Sequence, residues 1–253
     1  MSKRDILLIV EGERIDFRLM ERLMSIYGIG KRHRIVPYGT HIFTLYNTMF
    51  RDADPSDLDI LAHLREHEPN PEKKAIFDEH YSDILLVFDL DPHDSQFSAD
   101  KIVQMAEYFS ESTDMGKLYI NYPMIEAFYH MKNIPDADYY VYTASIDELK
   151  SGRYKSRVNA ENRNRDYTKF AVNKAECDMV IRQNIEKAWL VAEIPKQKNG
   201  LERLVPKSQE ILTKQLEKLR VEKEVSILCT CVFYIVEYNS RLIEWNENNL
   251  TLS

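Results

Sequence analysis

Ile84-Leu85-Leu86-Val87-Phe88-Asp89-Leu90-Asp91-Pro92-His93-Asp94 is the most apolar run of the first half of the chain to end in a cluster of acids. Five consecutive apolar residues, Ile84 to Phe88, run straight into Asp89, Asp91 and Asp94. An unbroken apolar run with polar ends predicts a strand buried on both faces, as in a parallel sheet flanked by helices. In open sheets of that kind ligands bind beyond the carboxyl ends of the strands. Asp89 and Asp91 would sit there, one strand residue apart and able to share a cation. Carboxylates so close repel one another unless a metal, basic groups or water offset the charge. A strand that simply ends in an acidic, capped turn is the alternative, because Asp is also a turn residue.

Working outward, Asp5 to Val10 (DILLIV) predicts the first strand, and it ends in Glu11-Gly12. Gly12 permits a tight turn, and Asp16 falls near the start of a helix, where a negative side chain is favoured. Phe17, Met20, Leu23, Met24 and Tyr27 recur at helical spacing, so Asp16 to Tyr27 is read as an amphipathic helix. Glu11 thus occupies the same kind of strand end as Asp89. Arg34 to Tyr38 predicts a short strand. A mostly helical insertion follows from about 40 to 80, with faces Ile42/Leu45/Tyr46/Met49 and Leu58/Leu61/Ala62/Leu64. Asp54-Pro55-Ser56-Asp57 reads as a cap and turn between them, and Pro69-Asn70-Pro71 as a second break.

Beyond the acidic cluster, Ser98 to Phe109 is predicted helical and Gly116 to Tyr122 a strand. Pro123 is read as the first position of a helix carrying Glu126. The alternation of strands and helices predicts an α/β fold with a mainly parallel sheet flanked by helices. Tyr139 to Tyr142 is read as an edge strand or extended connection. Helices are expected at Asn173 to Val191 and Ser208 to Glu224, then a buried helix or strand over Val225 to Tyr238. Two regions result: an α/β domain over 1–145 and a mostly helical part over 146–253, packed on the same core or forming a partner surface.

Composition bounds the function. The chain has 253 residues, 44% hydrophobic and 30% charged, with seven glycines and nine prolines, which argues for long helices over a turn-rich β-sandwich. Nothing resembles a signal peptide and no apolar run is long enough for a bilayer, so a cytoplasmic protein with no membrane partner is expected. Cys177, Cys229 and Cys231 are odd in number and lack a framework spacing, which suits a reducing compartment and core packing. The net charge of −7 provides no global field for nucleic acid, so any attraction must be local. Arg153, Lys155, Arg157, Arg163, Arg165 and Lys169, against Glu161 and Asp166, make a local excess of +4. With Tyr154 and Tyr167 interleaved, this segment is the expected nucleic-acid surface. A solvated basic helix face is the other reading.

The acidic residues at strand ends, Glu11, Asp89, Asp91, Asp94 and Glu126, suit Mg²⁺ or Mn²⁺. Such ions activate water and stabilise the leaving oxygen of a phosphodiester. In order and strand context these motifs resemble the Toprim fold of topoisomerases, primases and OLD-type nucleases. They are closer still to the Toprim proteins of the RloB and AriB type found in phage defence. The first motif of that group resembles EGExTE with a following aromatic, here Glu11-Gly12-Glu13-Arg14-Ile15-Asp16-Phe17, with Asp16 in place of Glu. The second, VFDxD, is matched by Val87 to Asp91. The third, SNPxFExW, is similar to Asn121 to Phe128: Pro123 and Glu126 hold, while Tyr122 stands at the Asn position. The resemblance covers roughly residues 5 to 130.

It implies a metal-dependent nuclease. Glu11 would be general base or metal ligand, Asp89 and Asp91 metal ligands, and Glu126 a further catalytic position. Asp94 is an outer ligand candidate, and Glu13 and Asp16 are secondary. His93 and His130 are lesser candidates beside acidic residues. The resemblance further implies a homo-oligomeric anti-phage effector controlled by a partner ATPase, with tRNA among the substrates such effectors attack; the residues do not choose RNA over DNA. Two other readings stay open. One is a Toprim-like binding or regulatory subunit without activity. The other is a haloacid-dehalogenase-like phosphatase with Asp89 as nucleophile, whose pattern wants Thr or Val where His93 stands.

Overall fold

The central strand is β3 (Asp83–Asp89), buried along its whole length. It pairs in parallel with β1 (Asp5–Val10) on one side and β5 (Gly116–Asn121) on the other. The structure is a computed structural model and describes residues 5–29, 32–50, 58–113, 115–195 and 204–245. β2 (Arg32–Pro37) pairs in parallel with the outer side of β1, and the short β4 (Ser110–Glu111) pairs antiparallel with β5. The order in this five-stranded sheet is β2-β1-β3-β5-β4, so the chain is α/β with a mostly parallel sheet. The two predicted acidic strands are therefore neighbours, and the order reverses between them. That reversal is where an open parallel sheet leaves a crevice.

The helices follow the apolar spacing. α1 (Ile15–Tyr27) buries Leu19, Met20, Leu23 and Met24, and stops at Gly28, whose φ of 60° the left-handed cap requires. The insertion holds α2 (Ile42–Met49), α3 (Ile60–His67) and α4 (Pro71–Phe77). In α3 the buried stripe is Ile60 and Leu64, so the predicted Leu58/Leu61/Ala62/Leu64 face is corrected: Leu58 precedes the helix and Ala62 is exposed. Asp59 caps α3 by accepting from Leu61 and Ala62 N–H, and Asn70 caps α4 by accepting from Glu72 N–H. The turn expected at Asp54 to Asp57 lies outside the described residues. α5 (Ala99–Tyr108) then leads to β4 and β5.

After β5 two expectations are corrected. Pro123 does not begin a helix. The Tyr122–Pro123 peptide is cis and Met124 extended, and the expected helix is a five-residue 3₁₀ helix, Ile125–Tyr129, with Glu126 in its first turn. Tyr139 to Tyr142 is no edge strand: Tyr139–Val141 is a 3₁₀ turn. The carbonyls of its first residue and of its C-cap are both bound by the buried Lys187, whose Nζ donates to Tyr139 O at 2.7 Å and Tyr142 O at 2.8 Å. β6 (Thr143–Ser145) follows, then α6 (Ile146–Lys150), α7 (Arg153–Glu161), α8 (Lys174–Ala192) and α9 (Ser208–Glu222). β7 (Glu224–Ser226) returns antiparallel to β6, and α10 (Phe233–Tyr238) ends the buried Val225 to Tyr238 segment, which combines strand, loop and helix.

Buried residues of both regions form one cluster running from Ile6 to Ile243. Val225, Ile227, Leu228 and Cys229 are fully buried in it, so this apolar segment closes the core. All three cysteines are buried and free. Among the described residues no helix is long and apolar enough to cross a membrane.

Gly116 opens β5 with φ +91°, and a Cβ there would stand 2.8 Å from Leu86 Cδ1 and 3.3 Å from Ile84 Cγ2. Gly116→Ala combines a left-handed strain with overpacking against β3. It is expected to lower stability by roughly 1–3 kcal/mol, read as a lower denaturant midpoint at unchanged slope.

Candidate active site

β1 and β3 deliver their terminal carboxylates side by side. The Glu11 N–H donates to Val87 O at 3.0 Å, continuing the ladder one residue past β1. Glu11 Oε2 in turn accepts from Asp89 N–H at 3.1 Å. The chain after β3 is held by the next loop: Leu90 N–H and Asp91 N–H both donate to Pro123 O, at 3.1 and 3.3 Å. Asp91 sits there at φ 42°, a left-handed conformation that Asp tolerates better than most residues.

α1 adds Asp16. Its carboxylate lies over Gly12, the side-chain oxygen Oδ2 closest to that residue. A Cβ at position 12 would lie 2.5 Å from Asp16 Oδ2, so any larger residue there displaces the Asp16 carboxylate from this position. From the 3₁₀ turn after Pro123 comes Glu126, 1% exposed, whose Oε1 meets Lys155 Nζ of α7 at 3.1 Å. Together Glu11, Gly12, Glu13, Asp16, Asp89, Glu126 and Lys155 line a cleft of about 360 Å³ at the switch point.

The electrostatics follow from crowding. Burial, then the Asp91 charge, pushes Glu11 up to about 8. Burial raises Asp16 to about 6, with Glu126 adding to it. Asp89 is raised well above the usual range by burial and by Glu11, and Asp91 is raised by burial despite the offset from His93 and Lys155. Burial lowers the Lys155 ammonium, but the Glu126 charge and hydrogen bond, with Asp89 and Asp91, outweigh it and leave it raised. One lysine is thus shared by a group of carboxylates that mutually oppose ionisation.

Asp16 Oδ1 and Glu126 Oε2 are buried without a hydrogen-bond partner. Among the described residues no three His, Cys, Asp or Glu side chains converge as a ready metal cage. The donor set nevertheless fits Mg²⁺ or Mn²⁺. It is all oxygen, rich in negative charge and carries two unspent buried oxygens, and Mg²⁺ commonly uses one or two carboxylates and keeps its waters.

The remaining expected residues separate. Asp94 accepts from Gln96 N–H at 2.6 Å and faces His41 Nε2 at 4.0 Å, so it serves its own turn and acts on the site only through Asp91. Glu13 lines the cleft but is exposed. His93 Nδ1 stands 4.0 Å from Asp91. His130 is buried, pinned to Glu161 at 3.0 Å, and lowered by burial to about 4.

Of the expected nucleic-acid segment, Lys155 belongs to the cleft. Arg157 pairs with Glu148 at 3.0 Å and Arg163 with Glu176 at 2.7 Å, while Lys169 pairs with Asp166 at 3.4 Å. Arg153 and Arg165 are exposed, Arg153 Nε bonding Ser151 Oγ at 2.8 Å. The reading of Tyr154 and Tyr167 as base-stacking platforms is corrected: Tyr154 is fully buried, and Tyr167 stacks on Tyr129 with centroids 4.3 Å apart.

Sequence reasoning missed Asn121. It is the register partner of Asp89 and donates Nδ2 to Asp89 Oδ1 at 3.4 Å. Its Oδ1 accepts from Thr230 and Cys231 N–H at 3.2 and 3.4 Å. Two donors on one oxygen fix the amide so that only its NH₂ faces Asp89. A polar residue ending the strand next to the acidic one was the available signal.

No family model, curated protein or solved structure matches the chain. Fold and site define an α/β protein with a carboxylate-and-lysine cleft at the switch point of a parallel sheet.

The unfolded chain releases the Glu11 proton near 4.5, whereas the folded chain holds it to about 8. The folded state therefore binds the extra proton between these values, and stability falls as pH rises through that window. His63 and His130, both lowered by burial to about 4, act in the opposite sense and only below their ordinary 6.5. In chelator, Tm is expected to drop by several degrees between pH 6.5 and 8 as the raised carboxyls of Glu11 and Asp89 lose their protons, and Glu11→Gln to make that drop smaller. A pH-independent wild-type Tm over this interval would contradict the buried, raised Glu11.

Proposed function

We propose that the protein is a metal-dependent nuclease that hydrolyses phosphodiester bonds of nucleic acid in the cleft between β1, β3, α1 and α7. The observation that carries this reading is the gathering of Glu11, Asp16, Asp89, Asp91 and Glu126 around Lys155, which pairs with Glu126, at the carboxyl ends of adjacent parallel strands. Asp89, Asp91 and Glu126 are the residues that would hold Mg²⁺ or Mn²⁺, with Glu11 beside them. When bound, such an ion supplies Lewis-acid polarisation of a phosphoryl oxygen and a more acidic water.

The chain's own groups do the rest. Glu11, whose carboxyl holds its proton up to about 8 in the metal-free cleft, would take a proton from the attacking water as general base where a bound cation offsets the neighbouring charge and leaves it ionised. Lys155, more than half exposed and tethered only to Glu126, can lean to a non-bridging phosphate oxygen and neutralise charge that builds there. Asn121 orients Asp89 without touching substrate. The N-terminus of α1 faces the same cleft and favours an anion.

The resemblance to RloB- and AriB-type Toprim proteins supports the finer assignment to anti-phage defence under a partner ATPase, with tRNA as one substrate to try first. Homo-oligomerisation rests on the same resemblance.

Incubation of the purified protein with Mg²⁺ or Mn²⁺ and a panel of tRNA, single-stranded and duplex substrates tests this. Cleavage is expected from wild type. Asp89→Ala should lose about 10³-fold or more and Lys155→Ala about 10²-fold in rate, with both variants retaining the wild-type fold by circular dichroism. Cleavage by Asp89→Ala at the wild-type rate would remove this cleft from the reaction.

A further inference from the structure

Most of the expected basic segment is spent on internal ion pairs, so the question is which cations near the cleft remain free. Arg14 lines the cleft at the first residue before α1, and Arg18 lies one turn further along. Both are exposed, and neither makes a side-chain hydrogen bond or ion pair among the described residues. Arg22 continues the same face by another turn. Its Nη1 and Nη2 reach Tyr167 O and Tyr129 OH only at 3.5 Å each, its guanidinium lies 5.9 Å from the Tyr129 ring centre, and its Nε is buried with no partner.

Residues four apart on a helix share a face. Each step advances about 6 Å along the axis, comparable to the spacing of successive phosphates along one polynucleotide strand. Glu13 and Glu21 stand beside this strip and subtract from its field, but form no ion pair with it among the described residues, which leaves the Arg14 and Arg18 donors unspent. The strip starts at the carboxylates and the dipole-positive end of α1, and ends against the loop that carries Arg165.

We propose that Arg14, Arg18 and Arg22 form a ladder along α1 that binds the backbone of a single polynucleotide strand and leads it into the cleft opposite Lys155. This rests on the nuclease reading and replaces the Arg153 to Lys169 segment as the main phosphate track. Guanidinium groups suit the task because they pair with phosphate through two parallel N–H donors. Such contacts position a strand without reading its sequence.

The test is fluorescence anisotropy with labelled single-stranded RNA and DNA of equal length, with Ca²⁺ in place of Mg²⁺ to prevent turnover, over a salt series. Arg14→Glu/Arg18→Glu is expected to bind at least tenfold more weakly and to lower the slope of log affinity against log salt by about 1.4, two contacts on a single strand. Arg14→Gln/Arg18→Gln should show a smaller loss in the same direction. Lys73→Glu/Lys223→Glu, with the same change in net charge elsewhere on the surface, should keep wild-type affinity and slope. If the α1 variants bind as wild type does, the ladder is wrong while the nuclease reading stands. If the control pair weakens binding equally, the effect is net charge and the ladder is again wrong. If wild type binds neither strand, both fall together.

Discussion

The hydrogen bond from Asp89 N–H to Glu11 Oε2 ties the ends of two parallel strands together and, in doing so, forces their carboxylates into one buried space. The rest of the site depends on that constraint. A carboxylate that accepts from a neighbour's backbone cannot turn away to solvent, so Glu11 stays beside Asp89 whatever its charge. Burial and mutual repulsion then keep protons on these groups well above the usual carboxylate range. An apolar pair at the same positions would pack at less cost. The sheet tolerates the arrangement because Ile6 to Val10 and Ile84 to Phe88 are buried and paired on both sides, which supplies the stability the strand ends consume.

The C-terminal part is built into the same seam. Tyr122 and Leu228 exchange backbone hydrogen bonds at 2.8 Å in both directions, extending β5 by one bridge to a strand-like segment from the end of the chain. From there Thr230 and Cys231 present their N–H groups to Asn121, and Thr230 Oγ1 donates to Ile120 O at 2.8 Å. Asp89 is thus held from two sides: by Glu11 through the backbone, and by Asn121 through the side chain. Lys155 arrives from α7, whose neighbour α6 is anchored by Ile146 N–H donating to Lys223 O.

Those links explain what was legible beforehand. β1, β3, β5, α1 and α8 were readable because an apolar run or a helical period is local. Glu11 and Asp89 were readable because both end such runs. Their adjacency was not, since strand order is a property of the whole sheet. Pro123 misled because a favoured first helical residue and a loop proline look alike until the chain on either side is placed. Tyr154 and Tyr167 misled for a related reason: interleaving basic and aromatic residues describes a nucleic-acid surface only if the rings face outward. Here α7 turns Tyr154 into the core beneath the His130 ring, 5.6 Å away between centroids. Lys155, one residue on, is turned to the cleft by the same helix.

Charge balance gives the cleft its direction. A polyanion cannot enter a pocket of ionised carboxylates against their combined field, and in the metal-free protein burial and mutual repulsion hold protons on Glu11 and Asp89. That protonation has a limit. As pH rises past the raised Glu11 value, negative charge accumulates beyond what Lys155 offsets, and a divalent cation relieves it. A cation and a phosphate therefore make each other's binding more favourable: the cation removes the repulsion, and the phosphate completes coordination that the few available carboxylates leave open. The α1 arginines extend this balance outward, since a strand approaching along them meets positive charge first and the acidic cluster last. The chain's net charge of −7 is then no obstacle, because within a Debye length of roughly 8 Å at physiological salt the local strip, and not the whole molecule, sets the potential an incoming phosphate meets.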